Sequence, residues 1–292
     1  MAQLFGRRAV LTVGTVKIDT GTIREVGAGS LDFAFNVQKS LGRSANKAEI
    51  NIWNLSKDHR SALSALRKVP VKLEAGYDDG TGEGRVPLLF RGDLREVSHE
   101  RDGPNIITTI SGKDGGRAVK HATANLSFGK GAGIGEVMEG LVNALTSSGN
   151  GSVGRGNFDK VKSDLQFEGV ANAFQGGASF IGNAWDEIVK VTQGAGKEVS
   201  IQSGKLQFTN RGAPAVNQSV LLSSSTGLIG TPQRSAKGVI EAVALIIPGI
   251  FPGAKVTLDA ENIQGVFRVI EASYAGDTAA ESWFINVKAR EI

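Results

Sequence analysis

The chain has 292 residues, 40% of them hydrophobic, which is enough for at least one sizeable core and for one large domain or two to three small ones. It has no cysteine and only three separated histidines, which excludes a disulfide framework and a thiolate metal site and argues against zinc. The 33 basic and 29 acidic residues are mixed along the chain, so the net charge of +4 comes without the Lys/Arg block of a nucleic-acid groove, and 39 glycines point to many turns and a β-rich fold.

The first segment, "MAQLFGRRAVLTVG", has no apolar stretch followed by a small-residue cleavage site, so no secretory leader is expected. Period-two alternation follows. In "LDFAFNVQ" Leu31, Phe33, Phe35 and Val37 share one face, and in "NKAEINIW" Ala48, Ile50 and Ile52 do the same, which predicts two strands joined by the basic loop "KSLGRSANK". Ser56 can cap a short helix carrying Leu63 and Leu66 and ended by Pro70. Strands are predicted at "VKLEAGY", "VPLLFRGDLREVSHE" and "NIITTISGK", with Asp-Gly pairs at 79–80 and 102–103 supplying turns. These elements predict a β-domain over residues 1–112 with one helix inserted.

The character changes in the middle. Ile134, Val137, Met138, Leu141, Val142 and Leu145 recur at helical spacing and predict an amphipathic helix. "TSSGNGSVGRGN" reads as an exposed loop or mobile linker, and "SFIGNAWDEIVKVTQ" as a second helix with Phe180, Ile181, Ala184, Trp185, Ile188 and Val189 on one face. An inserted region over residues 113–197 is therefore expected. Residues 198–292 return to strands: a hairpin turning at Ser203-Gly204, then "GVIEAVALII", "AKVTLD", "GVFRVIEASY" and "SWFINVKAREI". The longest apolar run, Val239 to Phe251, is too short to span a membrane and is interrupted by Pro248, so a soluble chain made in the cytosol is expected.

Three stretches invite a chemical reading. "NLSFGKGAGIGEVMEGL" resembles a phosphate loop, but Lys130 precedes most of the glycines, no Ser/Thr-bearing Walker ending follows, and Glu136 stands where a dinucleotide fingerprint needs a small residue. A glycine joint leading into a helix with an acidic first turn explains it better. "SGKDGGRAVKHA" gathers Lys113, Asp114, Arg117, Lys120 and His121, a cluster that normally solvates a turn. Adjacent Asp186 and Glu187 would point about 100° apart on a helix and so cannot flank a glycosidic bond as a pair. Trp53, Trp185 and Trp283 are expected in core or interface packing. No catalytic, cofactor-binding or metal-binding residue is assigned.

Five phrases in order carry a family resemblance: "LDFAFNVQKSLGRSANKAEINIWNLS", "SGKDGGRAVKHA", "GNAWDEIVKVTQGAGKEVSIQSGKLQF", "LLSSSTGLIGTPQRSAKGVIEAVALI" and "PGAKVTLDAENIQGVFRVIEASYAGDTAAESWFINVKA". From about Val10 onward the sequence resembles the baseplate hub proteins of tailed bacteriophages. The resemblance implies an α+β, β-dominated fold in which two tail-tube-like β-barrel domains are separated by a small helical insert. It implies a structural virion protein rather than an enzyme: a homotrimer in the tail baseplate, assembled in the bacterial host cytoplasm. Such a hub meets the tail tube or distal tail protein on one face and the central spike on the other, among other baseplate proteins. It adapts sixfold to threefold symmetry, and viral DNA transits its lumen without specific binding. No cofactor follows from it. Tube-type barrels often send the loop corresponding to "KSLGRSANK" onto a neighbour, which makes Lys39, Arg43 and Lys47 candidate intersubunit contacts. The competing readings are a peptidoglycan-degrading tail enzyme and a host-glycan-binding tail module. The first lacks an acidic pair, metal set or nucleophile, and the second lacks an evident aromatic binding strip.

Overall fold

The computed structural model describes residues 6–23, 31–78, 86–147, 151, 153–165 and 173–292. The first hairpin is β1 (Arg7–Val13) and β2 (Val16–Asp19). The alternation read from the sequence becomes β3 (Phe33–Ser40) and β4 (Lys47–Trp53), with Phe33, Phe35, Val37 and also Lys39 facing inward. The basic loop thus shortens to residues 41–46, because its two ends continue the strand ladder. Ser56 caps α1 (Lys57–Ala65) by accepting from the His59 N–H at 3.3 Å, and the chain is extended by Leu66, ahead of Pro70.

Next come β5 (Pro70–Tyr77), β6 (Leu88–Asp102) and β7 (Asn105–Lys113). The β6–β7 hairpin turns at Gly103 with φ 57°, as the Asp102-Gly103 pair predicts. The turn predicted at 79–80 lies outside the described residues.

The middle contains α2 (Gly116–His121), β8 (Thr123–Phe128), β9 (Ala132–Gly133), α3 (Ile134–Thr146), α4 (Phe158–Val161), β10 (Ala173–Phe174), β11 (Ala178–Asn183) and α5 (Ala184–Gly194). All six stripe residues of α3 are buried. The second predicted helix begins later than its apolar spacing suggests. Ala178–Asn183 pair with β8 as a strand, Ile181 is 77% exposed, and Asn183 caps the helix by accepting from the Asp186 N–H at 3.1 Å. The cap and Gly182 at φ 129° break helical continuity there, which apolar spacing alone could not show.

The Gly/Ser segment lies partly outside the described residues, at 148–150 and 152. Its described part is tied down rather than loose: Val153 is buried, and Gly154 exchanges backbone hydrogen bonds with Gly204 and Leu206. Gly156 needs its glycine, since a Cβ there would overlap the Leu206 carbonyl oxygen.

The remaining strands are β12 (Lys197–Gln202), β13 (Lys205–Asn210), β14 (Ser219–Ser223), β15 (Leu228–Arg234), β16 (Ile240–Leu245), β17 (Lys255–Asp259), β18 (Gln264–Asp277) and β19 (Trp283–Glu291). The protein is mostly β and is dominated by one large sheet in the order β15-β16-β19-β18-β3-β4-β7-β6-β5-β1-β2. Strand β17 also pairs β18, and β14 pairs β17 in the one parallel ladder among the described residues of the sheet. The sheet runs unbroken from amino-terminal to carboxy-terminal strands through the β3–β18 pair, where Val37 stands opposite Tyr274.

Two cores result. The first lies against the large sheet and mixes residues from both ends of the chain, Phe33, Ile50 and Leu73 with Phe267, Trp283 and Ile285. The second is built between residues 118 and 208 around α3 and α5. Strands β12 and β13 supply Val199, Ile201, Leu206 and Phe208 to this second core, so the hairpin packs with the helices that precede it.

Candidate assembly interface

The joint between sheet and insert is polar. Alternation in β3 makes position 39 an inward position, and Lys39 is 5% exposed there. Its Nζ donates to Ser203 Oγ at 2.9 Å. Burial pushes the Lys39 ammonium down to about 8, against the pull of the nearby Asp114 charge. Ser203 and Gly204, with φ 52° and 77°, form the tip of the β12–β13 hairpin, a left-handed pair suited to a two-residue turn.

Asp114 receives that tip from the sheet side. Its Oδ1 accepts from the Gly204 N–H at 2.8 Å, and it is wholly buried. Burial pushes the Asp114 carboxyl up to about 6, although Lys39 and the hydrogen bonds it accepts pull the other way. Asn46 completes the clasp. Its Nδ2 lies within hydrogen-bond reach of Ile201 O at 2.7 Å, Gln202 Oε1 at 3.2 Å and Asp114 Oδ2 at 3.3 Å, while its Oδ1 accepts from the Ser40 N–H. A second tie joins buried Arg268 of β18 to Glu198 Oε2 at 2.6 Å and to Thr209 Oγ1 at 3.2 Å. Gln207 donates to Pro252 O at 3.1 Å.

The three basic residues singled out from the sequence are not brought together. Lys39 points inward; Lys47, opposite Gln38 on β4, lies exposed on the other face; Arg43, in the loop, donates to Gln193 Oε1 at 3.1 Å. Asn46 and Arg268 were not singled out, and the pattern offers no sign of them, because their partners lie 155 and 70 positions away. Asp114 was noticed, but only as one of a solvated cluster.

Other sequence candidates take structural places. The glycine-rich segment lies within the insert and lacks a phosphate cradle. The surface beside the start of α3 is lined by Glu136, Glu139 and Asp159, with Lys162 bound to Glu139 at 2.8 Å. Lys162 and Arg155 hold the Glu139 carboxylate below its usual range. Glu187 pairs with Lys190. Trp185 and Trp283 are buried, the latter edge-on to Phe35 and under the Arg7 guanidinium, and Trp53 is half-buried.

The sheet leaves edges that a neighbour could meet. Among the described residues strand β15 pairs only β16; the bulge between Ile229 and Gln233 and Pro232 within it discourage unplanned strand addition. Among the described residues strand β14 pairs only β17, and Leu221 on it is 46% exposed. Among the described residues no helix is long and apolar enough to cross a membrane, and no group of acidic or histidine side chains is arranged to hold a metal ion.

A family model described as baseplate hub gp41 matches residues 10–263. The chain belongs to the baseplate hub gp41 family. This agrees with the resemblance carried by the five sequence phrases and makes the protein a structural component of a phage tail. No curated protein matches the sequence. Solved structures share the hub's fold at low identity. A tail protein from Neisseria meningitidis MC58 is 11% identical with a TM-score of 0.60, covering 98% of this chain and 97% of that one. The 43 kDa tail protein of prophage MuSo2 from Shewanella oneidensis is 9% identical with a TM-score of 0.61 and the same coverage of both chains, 98% and 97%. The E. coli c3393 protein, described as a type VI secretion component similar in structure to the T4 tail proteins gp27 and gp5, is 8% identical with a TM-score of 0.55, covering 92% of this chain and 76% of that one.

Proposed function

We propose that three copies of this baseplate hub protein form a ring that adapts the sixfold tail tube to a threefold central spike and encloses part of the channel through which DNA is ejected. One observation carries the reading. The large sheet is made of an amino-terminal set of strands, β1 to β7, and a carboxy-terminal set, β14 to β19, joined side by side at β3 and β18. Each copy thus brings two strand sets, and three copies bring six. In this reading the two sets act as tube-like barrel units within residues 1–112 and 198–292, with 113–197 as the insert onto whose core the β12–β13 hairpin packs.

The tube or distal tail protein docks on one face of the ring, the spike on the other, and DNA passes without specific contacts. The work is done by surfaces, so no group is assigned to catalysis. Arg43 and Lys47 are proposed to reach a neighbouring copy from the 41–46 loop and its flank, while Lys39 anchors the strand beneath them. Cryo-electron microscopy of intact tails provides the test. Three copies arranged as six strand sets around a lumen are expected; six or more copies, or a peripheral position, would sink the proposal.

A further inference from the structure

Between the sheet and the insert lies a cleft of about 430 Å³, within the size range that takes a small ligand or a short peptide segment. Its lining is chemically one-sided. Among the described residues, Lys39, Lys160 and Lys205 are its charged residues and no aspartate or glutamate lines it. The walls are aliphatic and aromatic, including Leu206, Val216, Ile250 and Phe251. Val216 and Leu88 at the cleft are each 40% exposed.

The polar groups of the lining are mostly occupied within the protein. Asn157 bonds the backbone of Phe208, Gln202 bonds Ser40 O, and Gln207 bonds Pro252 O. Lys39 differs from them. Its ammonium has three hydrogens and, among the described residues, one hydrogen-bond acceptor, Ser203 Oγ, although the residue is 5% exposed. Asp114, whose charge acts on Lys39, makes its own hydrogen bonds with Gly204 and Asn46 and none with Lys39. A buried ammonium with unmet donors, at a cleft whose described lining holds no carboxylate, is costly unless an anion completes it.

We propose that this cleft is a docking site for an extended segment of a partner protein carrying a side-chain carboxylate flanked by aliphatic residues. The carboxylate pairs with Lys39, Lys160 and Lys205 frame the entrance, and the aliphatic neighbours cover Val216 and Leu206. A nucleic-acid phosphate fits less well, because the walls beside Lys39 would desolvate sugar and phosphate without returning hydrogen bonds. The inference stands on the chemistry of the cleft and does not require the trimer or the channel.

Fluorescence anisotropy on the full chain tests it, with an acetylated, amidated pentapeptide pool holding Glu at the centre and Leu, Ile or Val beside it. A matching pool with Gln at the centre, inorganic phosphate and a thymidine decanucleotide serve as competitors. The Glu pool is expected to bind at least tenfold more tightly than the Gln pool and to lose at least tenfold with Lys39→Met. Val216→Asp places a repelling charge at the wall, outside the joint, and is expected to weaken binding at least fivefold even if Lys39→Met fails to fold. Equal binding of the two pools, no binding at millimolar peptide, insensitivity to Val216→Asp, or tighter binding of the decanucleotide or of phosphate would overturn the proposal.

Discussion

The sheet and the insert solve the same burial problem with opposite use of the chain. Core residues of the insert lie between positions 118 and 208, so its helices and short strands are built from one contiguous stretch. The sheet's core draws on both ends, and its central pair joins Ser40 to Glu271. Contiguous packing needs little loop closure, whereas the sheet must order distant segments before its contacts form. Between the two regions the connection is polar, a hairpin tip held by Lys39, Asp114 and Asn46 and an ion pair from Arg268 to Glu198. A directional joint of this kind fixes how the parts sit without fusing their cores.

The largest expected effect breaks one region and spares the other. Phe267 is fully buried in the sheet core, so Phe267→Ala should cost about 3–5 kcal/mol. Hydrogen exchange should show the loss in β16 to β19, with α3 and α5 little changed. Equal loss of protection in α3 and α5 would mean that the two cores unfold as one unit and that the contrast is wrong.

Breaking the joint comes next. Asp114→Ala leaves the buried Gly204 N–H without its acceptor and removes the carboxylate whose charge acts on Lys39, a change expected to cost about 3 kcal/mol in urea unfolding. A cost below about 1 kcal/mol would show that the tip is held by packing alone.

The joint should also give stability a pH signature. Burial holds the folded carboxyl of Asp114 at about 6, above its ordinary value of 3.8, so the folded state keeps a proton that the unfolded chain releases, and stability falls as pH rises between those values. Lys39 has the opposite sense. Its folded value of about 8 lies below 10.5, so the unfolded state holds the extra proton, and stability rises with pH across that window. Each arm should amount to about 3 kcal/mol. Urea midpoints for Asp114→Asn should lack the lower arm and those for Lys39→Met the upper one; unaltered slopes in both variants would remove the buried pair from the account.

The smallest effect concerns the glycine-rich segment. The sequence predicts that Gly→Ala changes between 129 and 135 disturb folding or assembly, yet a Cβ at Gly129 or Gly133 would meet nothing within 4 Å. Gly129→Ala and Gly133→Ala should therefore shift stability by no more than about 0.5 kcal/mol. Gly131, with φ 81°, is the position in that stretch where alanine would be strained.

What could be read in the sequence was local. Alternation located β3 and β4, helical spacing gave α3 residue by residue, and Ser203-Gly204 marked its hairpin. The start of α5 was misplaced because Phe180 and Ile181 fit a helical stripe, while the pairing of β11 with β8 is invisible from spacing. The joint was harder still. Lys39 looked like loop charge because nothing in its own neighbourhood says that Ser203, 164 positions away, will meet it. The five family phrases conveyed the identity that local chemistry did not.

The pairing of β3 with β18 has a consequence for synthesis. Residues 33–40 emerge early from the ribosome, but their partner strand, 271–277, is made about 230 residues later. At roughly 5–20 residues per second, β3 waits some 10–50 s with one edge open. The insert has its last core segment once Phe208 is made, about 60 residues before that partner strand begins. From then on it can dock against Lys39 of β3 and Asp114 just after β7, so the joint is available before the strand that closes the sheet arrives.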